Sequence, residues 1–142
     1  METLLKFRLL SAHAEFFSTL QLLHVERHDR DFLFVHAGIP LAGLTMPTIE
    51  SVITESLANP NDILWTREPD YFQKSPSFPG LIFHGHTPLQ TMPQYCSDAS
   101  AWADGPCEVA GKWNLDMGCF AGGSLAALKL PECELVFAQG LE

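Results

Sequence analysis

Basic residues are scarce in these 142 residues: Lys plus Arg number 8 against 17 Asp plus Glu, a formal net charge of −9. A chain this acidic repels a phosphate backbone at long range, and no basic block offsets the repulsion, which argues against nucleic acid as a partner. An anionic substrate would need the field inverted locally, for which bound metal cations are the usual means. Long apolar runs are lacking too. Runs such as Phe32-Leu33-Phe34-Val35 and Leu81-Ile82-Phe83 fall far short of the ~20 residues of a membrane span. The first eight residues interleave charge with apolar side chains and carry no apolar core followed by a small-residue cleavage site, so no secretory leader is expected. Cys96, Cys107, Cys119 and Cys133 form no Cys-x-x-Cys pair, which argues against a zinc knuckle or redox dithiol. Reduced thiols in a cytoplasmic setting are the expectation.

What the chain does have is core-forming capacity. Apolar residues make up 46% and charged residues 18%, enough for one domain over residues 1–142. Residues 12–23 carry Phe16, Phe17, Leu20 and Leu23 at near-helical spacing. Leu23–Arg27 alternates, residues 28–31 are polar, and residues 31–36 are apolar and aromatic, the pattern of a hairpin whose second strand is buried on both faces. Residues 48–58 predict a helix with Pro47 in its first turn. Four prolines within residues 59–80 predict an irregular loop, and 89–111 reads as loop as well. Further strands are expected at 81–84, 112–117, 124–130 and 134–138. The fold class is α/β, dominated by strands.

Two histidines share a position type. His36 ends one apolar strand before Ala37-Gly38, and His86 follows another between Gly85 and Thr87-Pro88. Open α/β sheets place ligand sites where strands end, and a neutral imidazole there is the commonest metal ligand. The alternative is a pair of satisfied polar groups capping strand ends. His84, two residues before His86, reads as a strand residue or a neighbour of the site, while His13, His24 and His28 read as structural or solvent-exposed. In Trp65-Thr66-Arg67-Glu68-Pro69, Arg67 is either a phosphate clamp or one half of a surface ion pair with Glu68 or Asp70.

Four segments occur in a fixed order: Phe34-Val35-His36-Ala37-Gly38-Ile39-Pro40, Leu64-Trp65-Thr66-Arg67-Glu68-Pro69, His84-Gly85-His86-Thr87-Pro88, and Asn114-Leu115-Asp116-Met117-Gly118-Cys119 running on to Gly122-Gly123-Ser124-Leu125-Ala126-Ala127-Leu128. Together they resemble the C-terminal half of bacterial calcineurin-like metallophosphoesterases of the serine/threonine protein phosphatase and symmetrical dinucleoside-tetraphosphatase type. The likeness spans about residues 12–138. It implies half of a β-sandwich flanked by helices, hydrolysis of phosphoric esters, and a phosphoprotein or nucleotide substrate. It also implies two divalent cations of manganese, iron or zinc type in the complete enzyme. By the same resemblance His36 and His86 match ligands of the second metal and Arg67 matches a phosphate-holding arginine. The segments around Asn114–Gly118 and Gly122-Gly123 match a closing structural hairpin, in which Met117 stands where threonine is usual.

The departure from the family is as informative. Its site is built mainly from Gly-Asp-x-His-Gly, Gly-Asp-x-x-Asp-Arg-Gly and Gly-Asn-His-Glu motifs, and this chain contains no Gly-Asp and no Asn-His pair. A two-metal centre needs a bridging carboxylate to hold cations ~3.5–4 Å apart, and general-acid help needs a protonated group at the leaving oxygen. No residue is therefore assigned a catalytic role. The expectation is an incomplete or inactive hydrolase half, from a truncated frame, a degenerate fragment, or a chain working with a separately encoded N-terminal half. The competing reading is a non-catalytic regulatory or interaction module of the same fold.

Overall fold

The computed structural model describes residues 11–96, 99–102 and 104–139. The N-terminal segment considered above for a leader lies outside them. Among the described residues, seven strands and five α-helices follow one another as α1 (Ser11–Ser18), β1 (Leu23–Arg27), β2 (Asp31–Val35), α2 (Leu41–Leu44), α3 (Ile49–Ala58), α4 (Pro60–Trp65), α5 (Pro69–Gln73), β3 (Gly80–His84), β4 (Glu108–Val109), β5 (Lys112–Asn114), β6 (Leu125–Lys129) and β7 (Glu134–Ala138). Short 3₁₀ turns occupy Leu89–Gln94, Ala99–Trp102 and Cys119–Ala121. The architecture is mixed α/β: a five-stranded sheet in the order β1-β2-β3-β5-β4 and a separate two-stranded β6-β7 ribbon.

The two apolar runs form the centre of the sheet. β2 and β3 pair in parallel from Asp31↔Gly80 to Phe34↔Phe83, and β5 extends the parallel set through Ile82↔Lys112 and His84↔Asn114. β1 and β4 close the two edges in antiparallel register. Because side chains alternate along a strand, the sheet has two distinct faces. Leu33 and Ile82 pack with Leu44, Ile49, Val52, Tyr71, Phe72 and Met92 under the helices. Phe32, Leu81 and Phe83 face the other way, joined by Phe34, Trp113 and, from the ribbon, Leu128.

Several local expectations are corrected. The region 59–80 is not irregular: Pro60 and Pro69 stand in the first turns of α4 and α5, where a missing amide hydrogen costs nothing because it would have no helical partner. Pro47, by contrast, lies outside α3. Thr48 is the N-cap, extended at φ −128°, and its hydroxyl accepts from the Ser51 amide at 3.3 Å. Helix α1 ends at Ser18, short of residue 23. β5 stops at Asn114, short of 117, because side chains capture the next amides: Asn114 Oδ1 accepts from Asp116 N at 3.0 Å, and Asp116 Oδ1 from Gly118 N at 2.9 Å. With helices filling the β2–β3 connection, the chain is less strand-dominated than its pattern suggests.

Candidate functional site

Parallel pairing puts the ends of β2 and β3 side by side, and the site grows from those ends. The ladder runs one step past the strands, with Gly85 N donating to His36 O at 2.9 Å, and on the far side Leu115 N donates to His84 O at 2.9 Å. Ala37 N donates to Ile63 O at 2.7 Å, which ties the segment after His36 to α4. Gly38 is required by close approach: a Cβ there would lie 2.5 Å from Thr66 Cγ2 and 2.7 Å from the Tyr71 ring. Gly85 is different, since a Cβ there would meet only ordinary contacts, the nearest 3.6 Å away. The unusual backbone falls on His86 itself, at φ +68°. Thr87 N donates back to Gly85 O at 2.8 Å, so His86 is the centre of a three-residue turn of the rarer, strained hand. Asn114, fully buried, secures that turn by donating from Nδ2 to Thr87 O at 2.8 Å.

The turn aims His86 at His36. His36 Nε2 lies 3.0 Å from His86 Nδ1, with ring centroids 4.8 Å apart and planes at 62°. One of the two nitrogens donates and the other accepts. Trp65 meets the same imidazole from another direction, 5.4 Å between centroids and nearly perpendicular at 86°. The remaining nitrogen of His86, Nε2, is buried without a hydrogen-bond partner among the described residues. Burial lowers the His86 pKa from its ordinary value, and the charges of Arg67 and His36 lower it further, against a smaller opposing pull from Asp116. A lowered pKa keeps the lone pair free near neutrality, as metal ligation requires.

Sequence reasoning singled out His36, His86, Arg67 and His84, and the structure sorts them. His36 and His86 adjoin across 50 residues of chain. Arg67 is exposed on the loop after α4, near enough for its charge to act on His86. His84 turns the other way, into the helix-side core. It is buried against Tyr71 and Phe72, and burial holds its pKa down to about 4. Trp65 and Asn114 were quoted within motifs but given no place in the site. Signals existed for both: a large aromatic two residues before an arginine, and an amide at the end of a short strand.

The donor set can be tested against a cation. Two imidazole nitrogens each ~2.05 Å from a metal and 3.0 Å from each other subtend about 95° at it, close to a cis octahedral pair. The pair therefore fits two ligands of one ion once the shared proton has left. It does not fit a two-metal centre: among the described residues no group of three or more His, Cys, Asp or Glu is placed to hold a metal. No described helix is long and apolar enough to cross a membrane, and no disulfide forms among the described residues.

No family model matches the chain, and no curated protein or solved structure matches it either.

Proposed function

We propose that this chain is a half-site of a metal-dependent phosphoric ester hydrolase of the calcineurin-like, serine/threonine protein phosphatase type. His36 and His86 supply two ligands to one divalent cation, and Arg67 supplies a charge for the substrate phosphoryl group. The observation that carries the reading is the His36–His86 pair, 3.0 Å apart at adjoining parallel strand ends, with one member held in a strained left-handed turn. Strain of this kind persists only where surrounding structure enforces it and clusters at functional sites. The substrate is a phosphoprotein or nucleotide, and the setting is cytoplasmic.

Two imidazoles without a carboxylate favour zinc over manganese or magnesium. The expected result of a zinc titration is weak binding near neutral pH, lost by about pH 5 as protons compete with the metal, and removed by His86→Ala. Zinc binding unchanged in His86→Ala and His36→Ala would refute the half-site. The isolated chain should turn over a generic aryl phosphate with manganese little or not at all.

A second reading keeps the fold without the chemistry, as a regulatory or interaction module. The small donor set among the described residues favours it. Absence of zinc binding in the wild type would select it.

A further inference from the structure

Trp65 differs from the other two tryptophans. Trp102 is buried and Trp113 packs onto the ribbon-side cluster, whereas Trp65 closes α4 with 67% of its surface exposed. Other apolar side chains are exposed as well; Trp65 combines its exposure with contact to the candidate site, its indole standing against His86. The segment that follows fixes what lies beside it. Thr66 is extended (ψ 134°) and buried, so Trp65 and Arg67 flank an anchored residue and both reach solvent. Gly38, immediately below, lets Thr66 and Tyr71 approach closely enough to hold that anchor. The exposed ring thus adjoins the His36–His86 pair, and Arg67, exposed two residues further on, brings its charge near enough to act on His86.

We propose that Trp65 is a specificity-determining platform, on which a planar aromatic ring of the substrate stacks while Arg67 holds its phosphoryl group. The ligand class is a phosphate ester carrying an aromatic ring. This deepens the phosphoric ester reading and rests on it. The reason is one of solvent: an exposed indole face is poorly hydrated, and a flat ring laid on it removes two such faces from water at once, which an aliphatic ester cannot do. Stacking of this kind is sequence-tolerant and needs only a π face on the ligand.

The test is calorimetric binding of inorganic phosphate, glycerol phosphate, phenyl phosphate and adenosine monophosphate to the wild type and to Trp65→Ala, Trp65→Phe and Arg67→Ala. Retained melting temperature checks that each variant is folded. The expected result is about tenfold tighter binding of an aromatic ester than of glycerol phosphate. Trp65→Ala removes that preference, Trp65→Phe keeps most of it, and Arg67→Ala weakens all four ligands. Preference for phenyl phosphate identifies a ring on the ester oxygen itself, and preference for the nucleotide a ring one sugar away. Equal affinity for aliphatic and aromatic esters, or a preference that survives Trp65→Ala, overturns the platform and leaves the phosphate reading standing. Failure of all four ligands to bind, or binding indifferent to Arg67→Ala, overturns the phosphate reading and the platform with it.

Discussion

The two faces of the central sheet are built to different standards. The helix side closes over thirteen buried apolar residues drawn from strands, helices and the loop after β3. Among the described residues the ribbon side buries three, Phe32, Leu81 and Phe83, beneath a two-stranded cover whose outer face is apolar away from its Lys129–Glu134 end. Leu125 and Val136 alternate outward with Ala127 and Ala138, and at 59% and 55% exposure they are as open as surface residues. The helix side also contains the difficult polar groups: Lys112, His84 and Asn114 all project into it. The face that holds the site's supporting shell is thus the tightly packed one. The other face carries aromatic bulk without deep enclosure.

Truncating the helix side should cost most. Phe72→Ala removes a fully buried ring packed against Tyr71 and His84 and is expected to lower unfolding free energy by about 3–5 kcal/mol in urea denaturation. A loss below ~1 kcal/mol would show that the two faces are not so unequal.

Lys112 gives a pH-resolved version of the same contrast. Its ammonium donates to Ala110 O at 2.9 Å and to Lys74 O, lies 5.3 Å from the Tyr71 ring centre, and is held by burial to a pKa of about 8. In the unfolded chain it titrates near 10.5, so between pH ~8 and ~10.5 the unfolded state binds more protons and stability rises with pH. Below pH ~8 both states are protonated and the burial penalty is constant. The lysine contribution to this rise is on the order of 3 kcal/mol. It should be missing from the stability–pH curve of Lys112→Met.

The ribbon should respond least. Val136→Ser alters an exposed outer position and is expected to change stability by no more than about 0.5 kcal/mol, with an unchanged denaturant slope. A loss approaching that of Phe72→Ala would mean that the outer ribbon face is covered in solution.

What could be read in the sequence followed the same division. β2 and β3 were legible because runs such as Phe32-Leu33-Phe34-Val35 are apolar at successive positions, which only a strand covered on both sides sustains. The ribbon was legible from its turn residues. Of the helices between β2 and β3, α3 was legible from residues 48–58, whereas α4 and α5 were not, because proline reads as a breaker and at Pro60 and Pro69 it starts a helix. The end of β5 was missed because Asn114 and Asp116 take backbone amides from the next residues, a competition that apolar periodicity does not register. At the site, His36 and His86 were named from their strand-end contexts. The positive φ was not legible: with glycine beside it, nothing in the order of residues assigns the left-handed turn to the histidine. Trp65 was passed over because a tryptophan in an irregular stretch gives no hint of where its ring rests.

The parallel pairing of β2 with β3 also has a consequence for how the protein is made. His36 and His86 are 50 residues apart, and no local contact brings them together. A ribosome adding ~5–20 residues per second exposes His36 for roughly 3–10 s before His86 has even been joined to the chain. During that interval the aromatic run of β2 has only β1 to pair with, and one of its edges is open. Closing the long loop comes before the contacts that reward it, as in any non-local strand pairing. The two imidazoles therefore meet only when the sheet itself closes, and a nascent chain arrested before residue 80 carries His36 without its partner.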